Sequence, residues 1–194
     1  MARRQVKLGA ETIWLSGGRP QTGEILNASF SIPAARLAQA PLTASDLRIG
    51  LVILSTLPNI QKHACLAQIV HLEERSRERF PDLRIVHVSA DHEDHWREVD
   101  RFHPNVQAAG YSLCCAEPMS REAFVQAFGV GVEDHHRIAH GLFALQEGRF
   151  LAIDIPNDQM RTPEVENFLK LIQPALERTP PFKSARSAAG EQRD

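Results

Sequence analysis

The stretch Leu54-Ser55-Thr56-Leu57-Pro58-Asn59-Ile60-Gln61-Lys62-His63-Ala64-Cys65-Leu66-Ala67-Gln68-Ile69-Val70 places a cysteine where its thiol could do chemistry. It begins as the end of an apolar run, Ile49 to Leu54, that reads as a buried strand. It closes as a helix, with Leu66, Ile69, Val70 and Leu72 near helical spacing. Cys65 therefore falls in the first turn of that helix. Unpaired backbone N–H groups and the positive end of the helix dipole favour thiolate over thiol there, and Lys62 adds a positive charge just before it. The arrangement predicts that Cys65 alkylates faster than Cys114 or Cys115. The plain alternative is a cysteine packed as a small apolar residue.

The elements that must position this thiol form one domain. A chain of 194 residues that is 43% hydrophobic can bury one core. With 22 basic and 24 acidic residues the net charge is −2, which makes no case for nucleic acid or an acidic membrane as partner. The basic start, Met1-Ala2-Arg3-Arg4, leads into no apolar segment of signal-peptide length, and no run approaches a membrane span, so a cytoplasmic protein is expected. Three cysteines are too few for a disulfide scaffold and read as thiols in a reducing compartment.

Val6 to Leu8 and Thr12 to Leu15 suggest an N-terminal hairpin, followed from Arg19 to Asp46 by mostly loop with strand pieces near Ala28 to Phe30. Strand Ile49 to Leu54, the Cys65 helix to about Phe80 and strand Leu83 to Ser89 imply a right-handed parallel crossover. A polar surface helix within Asp91 to His103 and a third strand within Val106 to Cys115 come next. Ser120 then reads as the N-cap of a helix, Arg121 to Phe128, closed by Gly129, with Gly131 to Arg137 as loop. Gly141 to Leu145 and Arg149 to Ile155 flank the hairpin signal Gln146-Glu147-Gly148. Thr162-Pro163 starts a last helix carrying Val165, Phe168, Leu169, Ile172 and Leu176, which Pro174 should kink or shorten. The domain is expected to occupy 1–178, with 179–194 a disordered tail.

This order is that of an α/β, thioredoxin-like domain with a central mixed sheet flanked by helices. Read along its length, the chain resembles the atypical thiol peroxidases of the peroxiredoxin superfamily from roughly Val6 to Ala175. The opening hairpin matches theirs, and Pro58-Asn59-Ile60-Gln61-Lys62-His63-Ala64-Cys65 matches their Pro-Ser-Ile-Asp-Thr-x-x-Cys motif. Ser89-Ala90-Asp91 matches their Ser-Ala-Asp, and Phe124 to Val130 echoes their Phe-x-x-x-Tyr-Gly-Val. The resemblance implies that Cys65 attacks a hydroperoxide and becomes a sulfenic acid. It also implies a homodimer, an antioxidant role and no cofactor.

Three positions depart from the resemblance. Lys62 stands where the family has Thr, and His140 stands where a later strand supplies Arg. The family's resolving cysteine follows an Arg-Phe pair, and here Arg101-Phe102 is followed by His103. Cys114 and Cys115 read most simply as buried strand residues, and a disulfide between such neighbours is strained. The expectation is therefore a slow peroxidase with Cys65, Lys62 and His140 as catalytic residues, recycled by an external thiol such as thioredoxin. One alternative is a peroxidase-inactive relative acting as a redox sensor or interaction module. Another is a copper or zinc site formed by His63, Cys65 and His140. His92, His95, His135 and His136 read as solvated.

Overall fold

The computed structural model describes residues 3–178, so the expected tail at 179–194 lies outside the described residues. In chain order the strands and helices are β1 (Arg4–Leu8), β2 (Glu11–Ser16), β3 (Ser31–Ile32), β4 (Ala34–Arg36), β5 (Leu42–Thr43), β6 (Leu51–Leu57), α1 (His63–Arg79), β7 (Arg84–Ser89), α2 (Trp96–Phe102), β8 (Ala109–Ser112), α3 (Pro118–Phe128), β9 (Gly131–Val132), β10 (Gly141–Gln146), β11 (Arg149–Asp154) and α4 (Val165–Leu176). The six-stranded main sheet has the order β11-β10-β6-β7-β8-β4. Strands β6, β7 and β8 run parallel, and β10, β11 and β4 are antiparallel to their neighbours.

Every residue of β6 is buried because the strand is central and covered on both faces, as its unbroken apolar reading required. On one face α1, α2 and α4 pack through Leu72, Ile69, Trp96, Val99, Phe168, Leu169 and Ile172. On the other, α3, the N-terminal hairpin and the segment before β6 pack against Val52, Leu54, Val86, Val88 and Phe143. Phe128 sits at the centre of that second layer, with ring centroids 4.7 Å from Phe124 and 5.0 Å from Phe143. Among the described residues, no helix is long and apolar enough to cross a membrane.

The N-terminal hairpin, the crossover and the hairpin of β10 and β11 stand where the sequence places them. The turn residues Glu147 and Gly148 both have positive φ, the backbone a two-residue hairpin turn needs. Several expectations change. Ala28 to Phe30 forms no strand. Ala34–Arg36 becomes the sheet edge instead, because Arg36 can bury its guanidinium on Asp100 at 2.6 Å and on the carbonyls of Val106 and Ala108. β6 begins after Gly50, which leaves Ile49 exposed. α3 starts at Pro118 rather than at Arg121, and Ser120 Oγ accepts the Ser31 N–H instead of capping. Gly131–Val132 pairs with β2 rather than looping. Cys114 and Cys115 leave the sheet in a 3₁₀ turn, Leu113–Cys115, with Cys114 exposed and Cys115 half-buried. Pro174 does not stop α4, which runs on to Leu176, and the helix begins at Val165, after Thr162-Pro163.

Gly129 ends α3 at φ 64°, and a Cβ there would run into the Gly18 carbonyl. Gly129→Ala should therefore lower the unfolding free energy by roughly 2–4 kcal/mol, read from urea denaturation. An unchanged midpoint would show that the α3 terminus can relax.

Candidate active site

Cys65 lies in the first turn of α1, beyond the C-terminal end of β6, and is only 1% exposed. Its sulfur accepts the Asn59 backbone N–H at 3.3 Å, a bond formed as the chain turns from β6 into the helix. On the opposite side, His140 precedes β10, whose first residue Gly141 pairs with Thr56 of β6. This pairing brings His140 Nε2 to 3.8 Å from Cys65 Sγ, although the two residues are far apart in sequence.

The hydrogen bonds around Gln68 settle which nitrogen of His140 carries a proton. Gln68 stands on α1, one turn after Cys65, and is fully buried. Its Nε2 is 2.8 Å from Ser55 Oγ and 3.3 Å from the carbonyl oxygens of Thr56 and Gly141. Carbonyl oxygens only accept, so the amide nitrogen must face them and Oε1 must face His140 Nδ1, at 2.6 Å. Nδ1 is then the N–H, and Nε2 presents a lone pair to the thiol. The His140 backbone N–H donates to Gln159 Oε1 at 2.7 Å, and Gln159 Nε2 donates to the Pro156 carbonyl.

The charges near the thiol belong to Asp91 and Arg137. Asp91 Oδ2 accepts the Ile60 backbone N–H at 2.7 Å and the Ser89 hydroxyl at 2.8 Å, so it ties the loop before α1 to the end of β7. Arg137 pairs with Asp91 Oδ1 and donates to the Pro58 carbonyl at 2.9 Å. Burial pushes the Cys65 thiol up to about 12, against the opposing pull of the Asn59 N–H and the Arg137 charge, while the Asp91 charge adds to the rise. Burial also holds His140 down to about 4. At neutral pH the pair is a thiol and a neutral imidazole joined by an S–H to Nε2 contact.

Known structures share this architecture. A thiol peroxidase from Chromobacterium violaceum matches with a TM-score of 0.72 at 15% identity, over 90% of this chain and 99% of that one. The chain has a thioredoxin-like fold, shared with peroxiredoxin-type structures. A peroxiredoxin-like protein from Aquifex aeolicus matches at TM-score 0.67 and 16% identity, over 88% and 96% of the two chains. Peroxidoxin BcpB from Mycobacterium tuberculosis matches at 0.61 and 16%, over 80% and 98%. No protein-family model matches the sequence, and no curated protein does.

Within this peroxiredoxin fold, Cys65 and His140 meet and the other expected site residues do not. Lys62 is the N-cap residue of α1 with its side chain exposed, and the cation acting on the thiol is Arg137. The expected lowering of the Cys65 pKa is thus reversed, because desolvation outweighs the Asn59 N–H and the Arg137 charge. His63 is exposed, and among the described residues no three His, Cys, Asp or Glu side chains converge as a metal site would require. His92, His135 and His136 are exposed as expected, and His95 lies 3.7 Å from Asp91. Gln68, Arg137 and Gln159 were not read from sequence. Arg137, three residues before His140, was the one with a signal, being a charged residue leading into an apolar strand.

Two outcomes follow. Iodoacetamide at pH 7.5 should label Cys114, the exposed thiol, before Cys65, as peptide mapping would show; Cys65 reacting first would contradict the buried, protonated state. Stability should also be bounded on both sides. His140 falls from its ordinary 6.5 to about 4 on folding, so its contribution is complete above 6.5 and is lost as pH drops towards 4. Cys65 rises from 9.0 to about 12, so its contribution is complete below 9 and is lost as pH climbs towards 12. His140→Gln should flatten the acid limb of the unfolding free energy, read from urea denaturation, by roughly 3 kcal/mol between pH 6.5 and 4, and an unaltered limb would assign it to other groups.

Proposed function

We propose that the protein reduces hydroperoxides through Cys65, with His140 as the group that takes and returns the proton. The carrying observation is the Cys65–His140 contact at 3.8 Å, with the His140 tautomer set by Gln68. The peroxiredoxin fold supports the reading, since its neighbours include a protein titled thiol peroxidase.

Cys65 S–H gives its proton to Nε2, leaving a thiolate beside an imidazolium. The thiolate attacks one peroxide oxygen, the O–O bond breaks, and sulfur is oxidised to sulfenic acid while the peroxide is reduced. Nε2–H then returns the proton to the departing alkoxide, so thiol plus hydroperoxide yields sulfenic acid plus alcohol. Two equivalents of an external thiol such as thioredoxin complete the cycle, the first releasing water to form a mixed disulfide and the second restoring Cys65. Lys62, exposed at the N-cap of α1, is assigned to adding positive charge beside the thiolate once the loop has opened. The thiol is almost fully buried, so peroxide reaches it only when the loop 58–62 lifts from Asp91 and Arg137, which makes the reaction slow. The protein is proposed to work as a cytoplasmic homodimer.

Intact mass after one equivalent of hydrogen peroxide, with dimedone present, should show one adduct that Cys65→Ser removes. His140→Gln should slow its formation about 100-fold or more, since a general acid and base is lost. An adduct that survives Cys65→Ser, or a His140→Gln rate equal to wild type, would sink the assignment.

A further inference from the structure

Outside that site, the chain carries a second sulfur arrangement that the peroxide chemistry does not use. Cys114 Sγ and Cys115 Sγ lie 3.8 Å apart in the 3₁₀ turn after β8, both as free thiols, one exposed and the other half-buried. Neighbouring residues in an extended strand send their side chains to opposite faces, so it is the turn that lets these two sulfurs approach. Ser112, fully buried at the end of β8, has its Oγ 3.4 Å from Cys115 Sγ and 3.7 Å from Cys114 Sγ. Its hydroxyl can donate to the Asp91 backbone carbonyl or to the Cys115 sulfur, so it can turn towards sulfur once charge develops there. Arg121, on the first turn of α3, adds a positive field at Cys114.

We infer that Cys114 and Cys115 form a two-sulfur chelate for a soft ion of low coordination number, of which Cu(I) is the type. Two thiolates match the softness of such an ion. Zinc asks for four ligands, and among the described residues no third His, Cys, Asp or Glu joins the pair. Binding converts Cu(I) and two thiols into a bis-thiolate complex carrying one negative charge, with two protons released to solvent and no change in the oxidation state of copper. Arg121 and the Ser112 hydroxyl offset that charge. The pair is accessible where Cys65 is buried, so this site is distinct from the Cys65–His140 centre.

The test is an anaerobic titration of the reduced full-length protein with Cu(I) presented as its bathocuproine disulfonate complex. One Cu(I) per chain should leave the chelator, with two protons released per ion in weak buffer. Cys114→Ser and Cys115→Ser should each weaken binding by at least about 100-fold, and Ser112→Ala by about 10-fold. Cys65→Ser should leave the uptake unchanged. X-ray absorption on the loaded protein should show two sulfur neighbours, which keeps the proposal testable if a serine variant folds poorly. No uptake by the wild-type protein, copper retained by a Cys114→Ser/Cys115→Ser double variant, uptake lost in Cys65→Ser, or half an ion per chain would each overturn it.

Discussion

The site rests on a constraint imposed by β6. A central strand with all seven residues buried has no water to satisfy its side chains, yet its sequence places Ser55 and Thr56 among the apolar residues. Each polar group must find a protein partner or carry a desolvation penalty of roughly 1–3 kcal/mol. Thr56 Oγ1 donates to the Ala139 carbonyl at 2.9 Å, and Ser55 Oγ accepts from Gln68. The carbonyls of Thr56 and Gly141 beside it only accept, and they fix the orientation of the Gln68 amide. The amide in turn fixes the His140 proton, and the proton decides whether Cys65 faces a lone pair or an N–H. The chemistry of the thiol is thus inherited from a packing requirement one layer below it.

The same burial explains why the thiol is quiet at rest. A helix N-terminus and a nearby guanidinium favour a thiolate, but both act on a group removed from water, and desolvation is the larger effect. His140 is neutral for the same reason. Burial on both sides holds the two groups as a neutral pair, and charge separates only along the S–H to Nε2 direction. In the proposed reaction, reactivity is then governed by opening of the loop and by proton transfer, rather than by a standing population of thiolate.

Much of the fold was legible, and particular residues show why. The crossover was readable because the strand opens with the apolar run Leu51 to Leu54 and α1 carries Leu66, Ile69, Val70 and Leu72 near helical spacing. The β10 and β11 hairpin announced itself through Glu147-Gly148. The edge strand Ala34–Arg36 was not readable, since three residues beside Pro33 carry no period and owe their extended form to pairing with β8 and to the buried Arg36. Two-residue β9 has the same character. In the site, Cys65 and His140 were found by motif and by place. Gln68 was not, because a glutamine inside a helix ordinarily faces solvent, and only the tertiary fold shows that this one is enclosed. Cys114 and Cys115 were read as buried sheet residues, since nothing local marks the 3₁₀ turn that takes them out of the sheet and brings their sulfurs together.

The hairpin at the start of the chain has a consequence for how the site matures. Lys7 donates its backbone N–H to the Asn157 carbonyl and accepts from Gln159 N–H, and the side chain of Gln159 holds the His140 backbone. The far wall of the site is therefore assembled from the two ends of the described chain. A nascent polypeptide cannot close it until residue 159 has left the ribosome, by which time the whole crossover around Cys65 has been available to fold. Until that wall closes, Cys65 lacks the full cover that leaves it 1% exposed in the finished fold, and it is open to oxidants and alkylating agents that the finished protein excludes. Its vulnerable period is synthesis, and completion of the fold is what protects it.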